Sequence, residues 1–324
     1  MDTSGLTLTI KYPTNADLKS YGFSSMLSGH YRNIDLGNCK INVTLNRLNS
    51  TATATVSVPK FWNGNNVQNM TVADMPYVLD NVSDALEPKC PFDFEAPDAR
   101  LSRLDLAHSF QLESESTARA YRDHVATQPT WGHYTPHLIG KDRRKGLERD
   151  YGKSQAVMLR QRQQEICCYL KYSECVAHKD PAATIAKGVL RIEHRYLNSA
   201  KVTEFLEACG YRNRAGDVWN NLLELTDEQL DLDMERLGLK QTLTITSDRE
   251  QLAAVATVYA DNPTRGALAY GYLSAYRMHG TDAGTVLGLS RRYEKDLQKE
   301  LRERGINLAS VAKVLPPLSL RPCK

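Results

Sequence analysis

The residues able to do chemistry fall on three short apolar stretches. "CCYLKYSEC" carries Tyr169 and Lys171, "SRLDLAHS" carries Arg103 and Asp105, and "VLRIEHRYL" carries Arg191, Glu193 and Arg195. Residues two apart in a strand share a face, separated by roughly 6.6 Å along the chain. Each stretch therefore reads as a strand with one apolar and one ionisable face: Leu104 and Leu106 behind Asp105, Cys168 and Leu170 behind Tyr169, and Leu190, Ile192 and His194 behind Glu193. Asp105 and Glu193 are hard oxygen ligands of the kind that hold Mg²⁺ or Mn²⁺ beside a phosphate. Arginine or lysine nearby would balance charge developing on that phosphate. A phenol titrates near pH 10, and a cation such as Lys171 lowers that value, giving an oxygen that attacks phosphorus. Such an attack on a DNA phosphodiester makes a phosphotyrosine and frees a 3′-hydroxyl. The plainer reading of the same alternation is an antiparallel sheet with one solvated face.

The elements that must position these groups are legible from periodicity. "LTLTIKY" (Leu6–Tyr12) alternates as a strand, and "CKINVTLNRL" and "TATATVSVPKF" form a hairpin about Asn49 and Ser50. "WNGNNVQN" reads as a loop in which Gly64 is free to take a positive φ. Met75, Val78, Leu79, Val82 and Leu86 recur at helical spacing. "ARLSRLDLAHSFQL" is a strand, followed by a helix that Ser114 or Ser116 caps. "EICCYLKY" and "GVLRIEHRYL" are strands by β-branched and aromatic content. From Lys201 the pattern turns helical: Thr226-x-x-Gln229 is a capping pattern with Gly238 as a stop, and two further helices follow. The fold class expected is α+β, an antiparallel-sheet domain over residues 1–200 and a mainly helical domain over 201–324.

In "TDAGTVLGLSRRYEKDLQKELRERG" the spacing predicts a helix, a turn at Gly288 and a second helix capped by Ser290, as in helix-turn-helix modules. Leu289, Tyr293, Leu297 and Leu301 make its apolar stripe, which leaves Arg291 and Arg292 outward for DNA.

Charge is uneven along the 324 residues although the net is only +3. Asp74 to Asp105 holds eight acidic residues against three basic ones, whereas Lys141 to Gln164 holds eight basic against three acidic. The second segment ends five residues before Tyr169, and is expected to be a basic flap whose Arg143, Arg144 and Lys145 contact phosphates. No apolar run is long enough to cross a bilayer, and the first residues lack the basic start and apolar core of a signal peptide, so a cytoplasmic location and no membrane partner are expected. Seven cysteines without a C-x-x-C pair fit neither a disulfide framework nor a thiolate zinc site. None of the eight histidines forms a His-hydrophobe-His metal motif. His133 and His137 are expected in a loop, because Gly132 and Pro136 flank them, and His108 and His194 as hydrogen-bonded core histidines.

Five stretches in this order carry a resemblance: "PKFWNGNN" (59–66), "SRLDLAHSF" (102–110), "CYLKYSE" (168–174), "LRIEHRYL" (190–197) and "RRYEKDLQKELRERGI" (291–306). Together they resemble the replication initiation proteins of filamentous bacteriophages, the gene II and gene X type. The resemblance implies a rolling-circle initiator with a nuclease domain, a metal-dependent, site-specific endonuclease that nicks one strand of an origin through a phosphotyrosine and rejoins the displaced strand. It puts the nucleophile at Tyr169, its lysine at Lys171, and metal-binding acids at Asp105 and Glu193, with Mg²⁺ or Mn²⁺ as cofactor. Arg103, Arg191 and Arg195 join the DNA-contacting set. Where some relatives have histidine in a G-H-N loop this chain has Asn65, so Asn65 and Asn66 are the weaker candidates there. Partners implied are origin DNA, double-stranded and single-stranded at the nick, and a host helicase and DNA polymerase. The alternative is a DNA-binding regulator of phage replication that keeps the fold without nicking. A single-strand-binding protein is a third class, but the Phe and Trp residues form no evident stacking platform.

Overall fold

The computed structural model describes residues 2–37, 39–127, 134–139, 156–241, 243–245, 255–279, 283–304, 306 and 313–320. Two compact units are present: Met1–Ser109 with Gln161–Ile166 and Ile192–Asp233, and Phe110–Arg160 with Cys167–Arg191 and Met234–Lys324. Neither is one continuous stretch of sequence. The class is α+β, and after Ser199 the described elements are helical apart from two three-residue strands.

The first unit is built on β1 (Thr3–Thr9), β2 (Ser24–Met26), β3 (Gly29–Asp35), β4 (Lys40–Asn46), β5 (Thr51–Ser57) and β6 (Arg100–Gln111, as far as Ser109). Their order is β2-β3-β4-β5-β1-β6, followed by the strand Val189–Tyr196. Every pair from β2 to β6 in that order is antiparallel. Alternation in "KINVTLN" and "TATATVS" puts Ile41, Val43, Leu45, Ala52, Ala54 and Val56 on one buried face. Helix Met75–Leu86 covers that face with the five residues predicted, all buried. Val202 and Leu206 of helix Ser199–Ala208, and Trp219 and Leu222 after it, complete the core.

The second unit contains β7 (Thr135–Ile139), β8 (Ala156–Gln161, as far as Arg160) and β9 (Gln164–Leu170, from Cys167), ordered β9-β8-β7. Helix Glu115–Thr127 starts where predicted, with the Ser114 hydroxyl accepting from the Thr117 amide at 3.1 Å. A separate apolar cluster joins helices Pro263–His279 and Arg291–Glu303 through Tyr272, Leu273, Leu297 and Leu301.

Several elements differ from their sequence expectation. The first strand is Thr3–Thr9 instead of Leu6–Tyr12, because Thr3–Thr9 finds a full antiparallel partner in Thr51–Ser57. The second hairpin strand stops at Ser57; Val58–Asn63 is a short helix, with Pro59 in its first turn where no amide is needed, and Gly64 at φ +73° ends it. Thr226 does not cap a helix. It lies inside Leu222–Arg236 and its hydroxyl donates back to the Leu222 carbonyl at 2.6 Å; the stop at Gly238, φ +67°, is as expected. Pro136 and residue 137 lie in strand β7, which its antiparallel partner β8 sustains, and not in a loop. The basic segment 141–164 is no single loop either, since its last third forms β8 and the start of β9, with Val157, Met158 and Leu159 buried. Arg143, Arg144, Lys145 and His133 lie outside the described residues.

Candidate active site

The charged faces of the strands are not solvated. Asp105 is 2% exposed and Glu193 0%, although Leu104, Leu106 and Ile192 on their other faces are buried as well. The one-solvated-face reading is therefore overturned: both faces of β6 and of Val189–Tyr196, hereafter β10, are covered. Burying a carboxylate costs several kcal/mol unless it is paired. Each acid is paired with an arginine two residues along its own strand. The Arg103 guanidinium donates through Nε to Asp105 Oδ1 at 3.0 Å and through Nη2 to Oδ2 at 2.8 Å. Arg195 donates through Nε to Glu193 Oε2 at 2.8 Å and again through Nη2. An Arg-x-Asp on β6 thus faces a Glu-x-Arg on β10, its neighbour in the first unit.

Burial, with a smaller contribution from the nearby Glu193 charge, pushes the Asp105 carboxyl up to about 6 against the opposing pull of Arg103 and Arg195. The Arg103 guanidinium is held above its ordinary value, chiefly by its hydrogen bonds to Asp105. The pair Asp105 and Glu193 is thus close enough to be electrostatically coupled, which sequence alone could not give. A bulge between Gly5 and Leu6 shifts the β1–β6 register beside Arg103. A Cβ on Gly5 would meet Ser102 Oγ at 2.8 Å and Arg103 Cβ at 3.1 Å, so glycine lets β6 approach closely here.

Glu165 belongs to this group and sequence reasoning missed it. It is 6% exposed, and its Oε2 lies 3.7 Å from Arg195 Nη1. The available signal was parity, since Glu165 shares a strand face with Cys167 and Tyr169. Among the described residues no three His, Cys, Asp or Glu side chains are arranged to hold a metal ion. Two adjacent carboxylates with water and phosphate oxygens filling the remaining positions is the donor set that Mg²⁺ commonly uses, and each ionised carboxylate has more acceptor sites than its arginine occupies. Asp105 and Glu193 fit such an ion.

Tyr169 lies in the second unit near the end of β9, buried against Cys167 and Met158. The strand expected over "EICCYLKY" ends at Leu170, and Lys171 opens the helix Lys171–His178. The switch follows from the side chains beyond it: Lys171 and Cys175, four apart, share the buried face of a helix, not of a strand. Tyr172, now on the helix, is half-buried with Lys187 Nζ 5.8 Å from its ring centroid. Lys171 is fully buried, pairs with Glu174, and holds its Nζ 5.6 Å from the Tyr169 ring centroid.

Of the other predicted contacts, Arg103 and Arg195 keep side chains 38% and 23% exposed, whereas Arg191 is enclosed. Asn65 closes its own turn, accepting from the amides of Val67 and Gln68 and donating to the Asn63 carbonyl; Asn66 is buried. His194 is a core histidine as expected, its Nδ1 2.7 Å from Asp233 Oδ2, while His108 is half-buried near Asn69. No described helix is long and apolar enough to cross a membrane.

Residues 29–209, more than half of the chain, match the family model for the N-terminal region of the phage gene II replication-associated protein. That span includes the stretches around Asn65, Asp105, Tyr169 and Glu193. No curated protein matches the chain.

Proposed function

The chain belongs to the replication initiator family of filamentous bacteriophages, and from that membership we propose that it nicks one strand of a phage origin through a phosphotyrosine and later rejoins the displaced strand. The observation that carries the reading is the buried, coupled pair Asp105 and Glu193, two carboxylates kept side by side at an energetic cost that a purely structural sheet avoids. Tyr169 supplies the nucleophile. Its oxygen bonds to the scissile phosphorus as the bond from phosphorus to the 3′-oxygen breaks; the phenolic proton leaves to solvent and the 3′-oxygen takes one up. The reverse attack by a 3′-hydroxyl reseals the strand and restores the phenol. Lys171, held beside the ring by Glu174, favours the phenolate over the phenol.

Asp105 and Glu193 would hold Mg²⁺ or Mn²⁺, which supplies positive charge to the phosphate when bound. Arg103 and Arg195 keep the two carboxylates ionised and apart from bulk water, with their partly exposed heads available to phosphate. Residues 1–200 carry the nuclease chemistry and residues 201–324 assist in binding the origin. A host helicase and polymerase would extend from the freed 3′-hydroxyl.

Incubation of the purified chain with supercoiled origin DNA and Mg²⁺ or Mn²⁺ tests the reading. Nicked circles and a protein–DNA adduct on Tyr169 are expected. Binding without nicking under every metal would make the chain a non-catalytic regulator, and a nucleotide found on Tyr172 or Tyr151 would displace Tyr169.

A further inference from the structure

Helix Arg291–Glu303 contains four acidic residues, which by composition cancel much of its basic charge. The fold sorts them. Glu294 turns inward, accepting from the Tyr272 hydroxyl at 2.9 Å and the Gly284 amide at 3.2 Å. Glu300 turns inward as well, accepting from Arg265 Nε at 3.1 Å and Nη2 at 2.5 Å. Leu297 and Leu301 are fully buried beside them. The fit is close: a Cβ on Gly284 would stand 2.5 Å from the Glu294 carboxylate. The turn before the helix is as its sequence predicts, with Gly288 at φ +66° and the Ser290 hydroxyl accepting from the Tyr293 amide at 3.2 Å.

What remains outward is mainly basic, with Asp296 and Glu303 the exposed acids. At about 100° per residue, Arg291, Arg302, Lys295, Lys299 and Arg292 fall within one arc of roughly 100°, while Glu300, Tyr293, Leu297, Leu301, Glu294 and Gln298 occupy the opposite side. Arg291, Arg292, Lys295 and Arg302 are exposed and make no ion pair among the described residues. Arg265 and Arg304, by contrast, are engaged with Glu300. The exposed acids are Asp296 and Glu303, and they border the arc; Lys299 lies 3.7 Å from Glu303. From Arg291 to Arg302 the stripe runs roughly 16 Å along the helix, whose diameter of about 10–12 Å matches the width of the major groove of duplex DNA, about 12 Å between its phosphate rails.

We propose that this stripe is a duplex-DNA docking surface, with the helix Arg291–Glu303 laid along the major groove and Arg291, Arg292, Lys295 and Arg302 contacting phosphates. It gives the origin binding proposed above a location, and it stands on charge and geometry that do not involve Tyr169. Exposed cations on a helix held in place by the inward-turned Glu294 and Glu300 are complementary to a polyanion and pre-organised for it.

The test uses the full chain carrying Tyr169→Phe, so that binding is read without chemistry, and a fluorescein-labelled 30-base-pair duplex containing the origin. Arg291→Gln, Arg292→Gln and Lys295→Gln together are expected to weaken duplex binding ten- to a hundredfold near 0.1 M salt. The slope of log affinity against log salt should become shallower by up to about three if all three touch phosphates. Asp296→Asn with Glu303→Gln should tighten binding severalfold without adding a cation. Lys40→Gln, at an exposed site elsewhere, is the control and should change neither. An unchanged salt slope in the triple variant, or loss of single-strand but not duplex binding, overturns the proposal. Loss of duplex binding by a variant of the parental chain that still nicks a single-stranded origin oligonucleotide separates this surface from the nuclease reading.

Discussion

Strands β6 and β10 and the helix Arg291–Glu303 handle charge in opposite ways. On the strands each acid is buried and gripped by an arginine two residues away, so charge is concentrated, paired and shielded from water. On the helix two of the four acids, Glu294 and Glu300, are turned inward and Arg291, Arg292, Lys295 and Arg302 outward, so basic charge is spread along one arc and open to solvent. Shielded charge acts strongly over a few ångströms and is little screened by salt; exposed charge acts weakly per group, adds along a surface and is screened over about 10 Å. The first arrangement suits a chemical step and the second suits affinity.

If that contrast is right, substitutions on the chemical side should abolish turnover with little change in DNA binding. The largest effect is expected at Tyr169→Phe, which removes only the hydroxyl: nicking and adduct formation should fall by a factor on the order of 10⁴ or more, with binding of a duplex unchanged in a mobility-shift titration. Residual adduct at the parental level would assign the nucleophile elsewhere.

Next come the acids. Asp105→Asn and Glu193→Gln should each lower nicking by about 10²-fold or more and weaken Mn²⁺ binding measured calorimetrically, roughly 10- to 100-fold. Asp105→Asn carries a second, opposite expectation. Because burial raises the carboxyl to about 6 in the fold while an unfolded aspartate titrates near 3.9, the folded state binds the proton more tightly. That stabilisation is fully present below about pH 4 and is lost as pH rises through about 6. Ionised Asp105 therefore costs the fold on the order of 3 kcal/mol at neutral pH, and asparagine, which cannot ionise, should raise the Tm by a few degrees at pH 7 and by nothing at pH 4. A variant that loses both activity and stability at pH 7 would mean that the Arg103 pairing outweighs the burial cost.

A smaller effect is expected at Lys171→Ala. Slow residual nicking should remain, and it should recover as pH rises if the lysine acts by favouring the phenolate; a uniform loss at every pH would assign Lys171 to stabilising charge on the phosphate instead. The smallest is expected in the basic segment. Neutralising Arg143, Arg144 and Lys145 together should leave the rate from bound complex unchanged while flattening the salt dependence of origin binding, by up to about three in slope. An unchanged slope would take these three residues out of the phosphate-contacting set.

Much of this was legible before any coordinates. The alternation in "KINVTLN" and "TATATVS" dictated a hairpin, because period-two burial has no other stable use. The 3.6-residue spacing of Met75, Val78, Leu79, Val82 and Leu86 dictated a helix, and Gly64, Gly238 and Gly288 marked turns that need positive φ. Parity grouped Arg103 with Asp105 and Glu193 with Arg195. Local rules failed where a longer-range partner decided: Lys171 left the strand for a helix whose buried face it shares with Cys175, Thr226 became a helix interior, and the first strand took the bounds Thr3–Thr9 set by its pairing with Thr51–Ser57.

The sequence by itself determined which residues could act together on one strand or one helix, since periodicity and side-chain chemistry are local properties. Only the tertiary structure decided which face was covered. Whether an ionisable face meets water or another layer depends on packing between residues far apart in the chain, and that packing buries Asp105 beside Glu193, adds Glu165 to their group, and turns Glu294 and Glu300 inward so that the helix they belong to presents an arc of cations with Asp296 and Glu303 only at its border.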